Sequence, residues 1–346
     1  MVKYSESYWT EAKKVIGEIS DLGMLSKKNV LVTGASGMIC STLVELLFVL
    51  NNYHNAGIKV FLAGRNREKI VQRFNPFNEG KDYFFVRYDT EYGLQQPLDV
   101  DFIIHGASPA DPVSFAKYPV ETMLSNIMGL QSLLNLVKKS GNTRLLFISS
   151  SEVYGRKIEK RPFIEKDYGY VDILNPRACY PSSKRAAETM CAAYQQEYGI
   201  DFVIVRPGHI YGPSITELDS RASAQFTRSA KAGENIIMKS AGIQLRSYCY
   251  TMDCASAILT VLLKGASGEA YNISNPQSIV TIRDFAESMA KKARVRVVYE
   301  QASDYELKSY NMMDNSSLDS SKLEYLGWKG MYDLDKGIEA TLNYFV

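Results

Sequence analysis

Short apolar runs alternate with helical patterns through the first two thirds of the 346-residue chain. The runs are rich in Val, Ile, Leu and Phe and are bounded by Gly, Asp or Ser, which is typical of buried strands. They cover Asn29–Thr33, Ile58–Ala63, Tyr83–Tyr88, Val100–His105, Arg144–Ser149 and Asp201–Arg206. Helical patterns cover Ser41–Asn51, Glu121–Ser140 and Ser182–Tyr198. Because strands that alternate with helices need crossover connections, the pattern predicts an α/β fold with a doubly wound parallel sheet.

A glycine-rich turn connects the first predicted strand to the helical pattern after it. It reads Gly34-Ala35-Ser36-Gly37-Met38-Ile39-Cys40. Gly34 permits a tight bend, Gly37 lets the backbone approach a pyrophosphate at the helix N-terminus, and Cys40 stands where a third glycine would serve helix–strand packing. A purely structural turn is the alternative. The position after the first strand favours a Rossmann-type dinucleotide site contacted by Gly34, Ser36, Gly37, Met38 and Ile39.

The end of the second predicted strand bears on which dinucleotide is bound. An NAD site usually carries an acidic residue there, which binds the ribose hydroxyls. Here the strand ends Ala63-Gly64-Arg65-Asn66-Arg67, without a carboxylate. Arg65 could hold a 2′-phosphate, which favours NADP. NAD held by other contacts is an equally open interpretation.

Tyr180 and Lys184 form a candidate catalytic pair, because a spacing of four places both side chains on one face of a helix. A free tyrosine has a pKa of about 10, and a neighbouring ammonium group is expected to lower the pKa of the phenol. The fifth strand ends at the same predicted sheet edge, where Ser150 could donate a hydrogen bond to the reacting oxygen. Glu152 could act as a second acid or base, or could be a structural hydrogen-bond partner.

After residue 213 the alternation of strands and helices breaks up. An amphipathic pattern over Glu6–Leu22 precedes the first strand, and a late strand is predicted over Val295–Tyr299. We therefore expect a smaller C-terminal α/β lobe that binds the substrate. The expected division is a helical extension over 1–27, a dinucleotide-binding domain over 28–212 to which 246–265 returns, and the smaller lobe over 213–346.

Charge and cysteine content restrict the partners and the compartment. The net charge is +2, and no Lys/Arg block suggests a nucleic-acid partner. No apolar run approaches the roughly 18–20 residues of a membrane span. Five cysteines without a CxxC spacing and three histidines without metal-site spacing argue against disulfides and metals. These features predict a cytoplasmic protein that acts on small molecules, without a metal.

Three motifs carry a resemblance to a known family. They are His105-Gly106-Ala107-Ser108-Pro109-Ala110 with Asn126 downstream, SSSEVYG over Ser149–Gly155, and CYPSSKRAAETMC over Cys179–Cys191. They resemble the extended short-chain dehydrogenase/reductases of the NAD-dependent epimerase/dehydratase family, most of all the UDP-glucuronate decarboxylases, and the resemblance covers nearly all of Lys28–Val346. In that family bound NAD oxidises sugar carbon 4, the β-keto acid loses CO₂, and the hydride returns to give UDP-xylose.

The resemblance implies a role for each matching residue. Tyr180 would be the base, Lys184 its activator and Ser150 the hydroxyl on the carbon-4 oxygen. Ser151, Glu152 and Arg246 would surround the carboxylate and assist its loss. Lys184 can also bind the nicotinamide ribose, and further cofactor contacts are expected from Asp89, Thr90, Ala107, Ser108, Asn126, Tyr180 and Pro207. Further substrate contacts are expected from Pro109, His209 and Arg221, with Arg221 and Arg246 near the nucleotide diphosphate, since guanidinium groups pair with phosphates in bidentate fashion.

Two departures from the family pattern leave the cofactor and the substrate open. Arg65 replaces the acidic ribose ligand, and His209 stands where relatives commonly carry an asparagine on the substrate diphosphate. A 4,6-dehydratase is disfavoured because Ser151, and not an aspartate, precedes Glu152. A 4-epimerase and an NADPH-dependent keto-sugar reductase stay open, and a non-catalytic dinucleotide sensor is the distant alternative. By analogy with relatives, we expect a homodimer formed through the helices Glu121–Ser140 and Ser182–Tyr198.

Overall fold

The structure is a computed structural model that describes residues 5–94, 96–217, 219–303, 307, 310–311 and 313–344. The strands are β1 (Asn29–Thr33), β2 (Lys59–Gly64), β3 (Phe84–Asp89), β4 (Gly93–Leu94), β5 (Phe102–His105), β6 (Arg144–Ile148), β7 (Asp201–Pro207), β8 (His209–Tyr211), β9 (Ile236–Met238), β10 (Leu245–Tyr250), β11 (Ala270–Ile273), β12 (Ile279–Thr281), β13 (Val297–Tyr299) and β14 (Asn315–Ser316). The helices up to residue 293 are α1 (Glu6–Gly17), α2 (Met38–His54), α3 (Arg67–Arg73), α4 (Pro112–Lys117), α5 (Pro119–Ser140), α6 (Cys179–Tyr198), α7 (Ala222–Ala232), α8 (Thr251–Lys264) and α9 (Ile282–Ala293). Two more helices cover Ser321–Glu324 and Leu334–Asn343.

The large sheet has eight strands in the order β11-β7-β6-β5-β1-β2-β3-β4. All its pairings are parallel except the antiparallel pairing of β3 with the short β4. The strand order runs outward in both directions from β1, which lies between β2 and β5. This confirms the predicted α/β fold with a doubly wound, Rossmann-type parallel sheet.

Helices cover both faces of this sheet, because successive side chains of a strand point to opposite faces. In β1, Val30 and Val32 pack in the cluster that contains α1, α2 and α8. Leu31, between them, packs in the cluster that contains α5 and α6. All three side chains are fully buried, so β1 forms the centre of two hydrophobic cores.

The N-terminal helix α1 packs against α2 and α8. The Tyr8 hydroxyl donates a hydrogen bond to the buried Glu45 carboxylate of α2, which also pairs with Arg73 of α3 at 3.0 Å. The predicted helix over Glu6–Leu22 ends earlier, at Gly17. Asp21 then takes a left-handed conformation with φ of 64°, which the continuing helix could not accommodate.

Smaller sheets form the C-terminal part. Strand β10 pairs with β8, β12 and β14, and β9 pairs with β13, which lies within the strand predicted over Val295–Tyr299. The chain then crosses back, since α8 packs on α2 and β11 pairs with β7 of the large sheet. These sheets are the smaller lobe expected beside the Rossmann-type sheet. None of the described helices combines the length and the apolar character that a membrane crossing requires.

Candidate active site

A cavity of about 470 Å³ opens at the carboxyl ends of the central strands of the large sheet. Such sheet edges are where doubly wound folds bind ligands. The smaller lobe supplies the opposite wall. The predicted site residues that line the cavity are Gly34, Gly37, Met38, Ile39, Ser108, Ser150, Ser151, Glu152, Tyr180, Lys184, Pro207, His209, Arg221 and Arg246. The predicted site residues that do not line it are Ser36, Arg65, Asp89, Thr90, Ala107, Pro109 and Asn126.

The glycine turn packs so tightly on the loop after β5 that Gly34 has no room for a side chain. Gly34 has a φ of +68°, and a Cβ atom there would lie 2.7 Å from the carbonyl oxygen of Gly106. The Gly37 amide donates to the Gly34 carbonyl at 2.9 Å, and α2 begins at the next residue. The Cys40 side chain fills the space next to Gly106, where a Cβ atom would collide with its sulfur. Cys40 therefore serves helix–strand packing, as the sequence predicts.

Three predicted contacts lie at the neighbouring strand ends, outside the cavity. Arg65 is exposed directly after β2. Asp89 ends β3, and its carboxylate accepts a hydrogen bond from the Glu91 amide at 2.9 Å. The Thr90 hydroxyl donates to Ser125 at 3.3 Å. Because β1, β2 and β3 are neighbours, these side chains share one edge of the sheet with the glycine turn.

Asn126 provides a further indication that a ligand binds here. Its side-chain amide is buried and donates to the Thr122 carbonyl at 3.1 Å and to the Ser183 hydroxyl at 3.0 Å. Its Oδ1 atom is buried without a hydrogen-bond partner among the described residues. Since buried acceptors are rarely left unsatisfied, this atom fits a site completed by a water molecule or a ligand.

Tyr180 and Lys184 lie in the first two turns of α6 and both face the cavity. The Tyr180 side chain is only 7% exposed and stacks on Phe115 with ring centroids 4.4 Å apart. The Lys184 ammonium group donates to the Ile148 carbonyl at 2.8 Å and lies 5.8 Å from the centre of the Tyr180 ring. The fold therefore places Tyr180 and Lys184 side by side at the cavity, as predicted. The ammonium group donates its hydrogen bond to the backbone rather than to the phenol.

The ionisation of Tyr180 differs from the expectation. Burial raises its pKa to about 12, and the Glu152 carboxylate adds to the rise. A hydrogen bond from Ser150 and the cations of Arg221 and Arg177 act in the opposite direction. The prediction of a lowered phenol pKa is therefore wrong for this structure, because desolvation outweighs the lowering by Ser150, Arg221 and Arg177. Burial also lowers the pKa of Lys184 itself to about 7.

Glu152 lies in a short 3₁₀ turn, Ser151–Tyr154, directly after β6. The Ser150 hydroxyl begins the turn and accepts a hydrogen bond from the Glu152 amide at 3.2 Å. Both oxygens of the carboxylate pair with the guanidinium group of Arg177, at 3.0 and 2.9 Å. Sequence reasoning missed Arg177. The available signal was its position three residues before Tyr180, next to the start of α6.

Two arginines approach the cavity from the smaller lobe. Arg221 pairs with Asp219, with the Nε and Oδ1 atoms 2.9 Å apart. Arg246 is only 3% exposed and donates to the Leu245 carbonyl at 2.9 Å. Within the described part of the chain, no carboxylate lies within 4.0 Å of the Arg246 guanidinium group. Arg246 is thus a buried cation without an ion pair at the wall of the cavity.

His209 begins β8, pairs with Tyr248 of β10 and lines the same cavity as the two arginines. Burial, together with the cations of Arg246 and Arg221, holds the pKa of the imidazole well below its ordinary value. The ring is therefore neutral near pH 7. Its Nδ1 atom is buried without a hydrogen-bond partner in the described ranges. A neutral imidazole at this position can still donate one hydrogen bond to an anionic ligand.

A glycine turn for a dinucleotide and a Tyr/Lys pair that share one cavity define an enzyme of the short-chain dehydrogenase/reductase class. The chain belongs to the NAD dependent epimerase/dehydratase family, whose sequence profile matches residues 30–274. It is an enzyme of this nucleotide-sugar-modifying family.

Comparisons with known proteins agree with this assignment. The chain is 30% identical to UDP-glucuronic acid decarboxylase 1 of Xenopus tropicalis over 322 residues, which cover 92% of this chain and 72% of that protein. It is 30% identical to UDP-glucuronic acid decarboxylase 6 of Arabidopsis thaliana over 333 residues, covering 90% and 87%.

Solved structures show the same fold. The UDP-glucuronic acid 4-epimerase of Bacillus cereus, in complex with UDP-glucuronic acid and NAD, superposes with a TM-score of 0.75 at 23% identity, covering 91% of this chain and 98% of that one. The UDP-glucose 4-epimerase of Thermotoga maritima, with UDP-glucose, gives a TM-score of 0.76 at 22% identity, covering 91% and 97%.

Proposed function

We propose that this enzyme decarboxylates UDP-glucuronate, or a close analogue, by transient oxidation at sugar carbon 4. The observation that carries the proposal is the buried Arg246, which lines the same cavity as Tyr180 and Lys184 without an ion pair among the described residues. A buried charge is costly unless it is paired. An anionic substrate would supply the missing partner, through either its diphosphate or its sugar carboxylate.

The proposed oxidation uses the side chains at the start of α6 and the end of β6. Tyr180 takes the proton of the carbon-4 hydroxyl, while Ser150 donates a hydrogen bond to the same oxygen. Lys184, held by the Ile148 carbonyl, lies beneath the phenol as its partner. The glycine turn and Lys184 would hold NAD, which would supply hydride transfer to and from carbon 4.

Oxidation at carbon 4 makes the substrate a β-keto acid. The bond from carbon 5 to the carboxylate then breaks, CO₂ leaves, and the electron pair moves to the carbon-4 oxygen as an enolate. Ser150 and Tyr180 stabilise that oxygen by hydrogen bonding. Ser151, Glu152 and Arg246 surround the carboxylate before its loss. A proton from solvent, delivered through Glu152, is then added to carbon 5. Return of the hydride to carbon 4 and of the Tyr180 proton to the carbon-4 oxygen completes the reaction.

We propose NAD as the cofactor, bound over Gly34, Ser36, Gly37, Met38 and Ile39. The close packing of Gly34 on Gly106 and the unsatisfied Oδ1 of Asn126 support a dinucleotide at this edge. The further contacts are predicted from Asp89, Thr90, Ala107, Ser108 and Pro207. NADP is the competing cofactor, because Arg65 is exposed where a 2′-phosphate would lie.

Two other reactions of the same site are the competing proposals. A 4-epimerase needs the Tyr/Lys pair and room for the sugar to turn, and structural neighbours of this chain include 4-epimerases. A keto-sugar reductase that consumes NADPH would give Arg65 a role. A non-catalytic dinucleotide sensor, the distant alternative, would have no use for Tyr180 and Lys184 at the cavity.

The proposed function also assigns a role to each segment of the chain. The segment 28–212 would hold the cofactor, with 246–265 returning to it. The segment 213–346 would hold the nucleotide sugar through Arg221 and Arg246, and Pro109 and His209 of the first segment would add contacts. A homodimer through α5 and α6 is supported by exposed apolar side chains on α5, where Val120 is 63% and Leu124 50% exposed. We propose that the enzyme works in the cytoplasm.

The test is to incubate the purified protein with NAD and UDP-glucuronate and to measure CO₂ and a UDP-pentose. Wild-type protein is expected to form both, and Tyr180→Phe neither. Tyr325→Phe, whose side chain is almost fully exposed and lies outside the cavity, is the matched control and is expected to behave as wild type. If the wild type converts UDP-glucuronate to its 4-epimer and releases no CO₂, the enzyme is a 4-epimerase and the proposed decarboxylation is wrong.

Denaturing the purified protein and identifying the released nucleotide by mass spectrometry separates the remaining alternatives. Retained NAD agrees with internal recycling of the hydride, as in a decarboxylase or an epimerase. If the purified protein releases no nucleotide and binds NADPH more tightly than NADH, the result agrees with a reductase.

A further inference from the structure

Arg177 is a wall residue of the cavity for which the predicted reaction has no role. It lies in the 3₁₀ turn Pro176–Ala178 that leads into α6. Its NH1 and NH2 atoms pair with the two oxygens of Glu152 at 3.0 and 2.9 Å. A planar, bidentate pair fixes the plane of a carboxylate as well as its distance, which a single lysine contact would not do.

Arg177 also reaches Tyr180 through an aromatic contact. The guanidinium carbon lies 4.7 Å from the centre of the Phe115 ring. The same ring stacks on Tyr180 with centroids 4.4 Å apart and an interplanar angle of 21°. A cation over an aromatic face is attracted to it, so Arg177, Phe115 and Tyr180 support one another's positions.

The charges around Tyr180 come from four elements. Glu152 faces the phenol from the turn after β6, Arg177 from the turn before α6, and Arg221 from the start of α7. Lys184 lies on α6 itself, 5.8 Å from the ring centre. Glu152 is the acidic group in this set, and its negative charge opposes the formation of a phenolate. The Arg177 guanidinium group lies directly against that charge.

We propose that Arg177 is a positioning residue that orients Glu152 toward the sugar ring and cancels its charge, so that Tyr180 can give up its proton. The inference rests on the proposed function in one respect, since it requires Tyr180 to act as the base. It assigns Arg177 no contact with the substrate. Its removal should therefore slow the chemical steps more than it weakens substrate binding.

The experiment compares Arg177→Met, Arg177→Lys, Glu152→Gln and the double variant Glu152→Gln/Arg177→Met. Product formation is measured against pH, and the unfolding of each variant is measured in urea. The matched control is Arg161→Met, because Arg161 makes a second bidentate pair, with Asp167 at 2.7 and 2.7 Å, outside the cavity.

Arg177→Met is expected to lower kcat by about tenfold or more while KM changes by less than about threefold, within the range of coupling between contacting residues. The acid limb of its pH profile should move to higher pH, because Glu152 is left uncompensated beside Tyr180. Arg177→Lys should recover part of kcat. In the Glu152→Gln background the same change should alter kcat by less than about threefold. Arg161→Met should leave the acid limb unchanged.

A folded Arg177→Met variant with an unmoved acid limb would overturn the inference. So would an equal loss of kcat in the presence and absence of Glu152, because Arg177 would then act independently of that carboxylate. If the wild type releases no CO₂, the proposed decarboxylation fails on its own. The same variants are then compared on the nucleotide sugar that the wild type does convert. An acid limb that moves to higher pH in Arg177→Met supports the role of Arg177, and an unmoved limb contradicts it.

Discussion

The Lys184 ammonium group donates a hydrogen bond to the Ile148 carbonyl oxygen at 2.8 Å. Ile148 ends β6, so the contact ties the catalytic helix to the edge of the large sheet. The side chain is 3% exposed, and its surroundings disfavour the charged form. Burial of the ammonium group lowers the pKa of Lys184 to about 7, and burial of the phenol separately raises the pKa of Tyr180 to about 12.

The depressed pKa of Lys184 predicts a pH dependence of stability. From about pH 7 to 10.5 the unfolded chain binds a proton at this lysine that the folded chain does not, so the contribution of Lys184 to the free energy of unfolding should rise with pH across that window. Lys184→Met should lose this rise. Urea unfolding of both proteins at about pH 7 and about pH 9 measures it. A stability difference between them that is constant with pH would contradict the prediction.

Arg246 predicts opposite effects on binding and on stability. Arg246→Met removes a buried cation that has no carboxylate partner among the described residues, so the unliganded protein should keep or gain stability. Binding of UDP-glucuronate should weaken by about 2–5 kcal/mol, as for other buried charge partners. Calorimetric titration and thermal unfolding measure the two effects.

Arg206 is the matched control for Arg246. It is also buried, but it pairs with Glu188, with the Nε and Oε1 atoms 3.0 Å apart, and it donates to the Tyr154 hydroxyl at 3.0 Å. Arg206→Met should therefore destabilise the fold by about 3–5 kcal/mol, since Glu188 loses its partner. Equal destabilisation by both substitutions would show that Arg246 is a structural residue.

The N-terminal helix is predicted to depend on the Glu45 carboxylate. Arg73→Met leaves this buried group without its ion pair and should cost about 3–5 kcal/mol of unfolding free energy. The double variant Glu45→Gln/Arg73→Met should recover much of that loss. Arg67→Met removes an exposed pair with Glu79 and should cost less than about 1 kcal/mol. Urea unfolding measures all three, and equal losses for Arg73 and Arg67 would contradict the prediction.

Arg65 is predicted to set the preference between the two dinucleotides. Its side chain is exposed after β2, so Arg65→Asp should change stability by no more than about 0.5 kcal/mol. The carboxylate should favour the ribose hydroxyls of NAD and repel the 2′-phosphate of NADP. Fluorescence titration measures the dissociation constants of NAD and NADP. In Arg65→Asp the constant for NAD is expected to fall relative to the constant for NADP. An unchanged ratio would mean that Arg65 does not face the adenosine ribose.

Local patterns predicted the elements of the sheet closely. The predicted strand Asn29–Thr33 is β1 without change, and the predicted helix Glu121–Ser140 lies within α5. Both segments are long or strongly patterned, and the fold buries apolar positions of each pattern. The end of α1 at Gly17 was not predicted, because the apolar pattern continues past the point where Asp21 turns left-handed.

The Glu152–Arg177 pair could not be predicted, although both residues stand beside motifs that were recognised. The two are 25 residues apart, and the loop between them has no periodicity that would bring them together. The same holds for Arg246, because the sequence shows a basic residue but not whether a carboxylate lies near it. A contact between distant segments depends on how the elements pack.

By itself, the sequence determined which groups stand at the ends of the strands, including the glycine turn after β1, Ser150 and Glu152 after β6, and Tyr180 with Lys184 on the following helix. Periodicity and turn chemistry are local, so they can be read from neighbouring residues. Only the tertiary structure decided the state of these groups. Burial raises the pKa of Tyr180, Arg177 pairs with Glu152, and Arg246 is a buried cation without an ion pair in the described chain. These states depend on desolvation and Coulomb energies. Both energies depend on distances between segments, which the sequence alone does not specify.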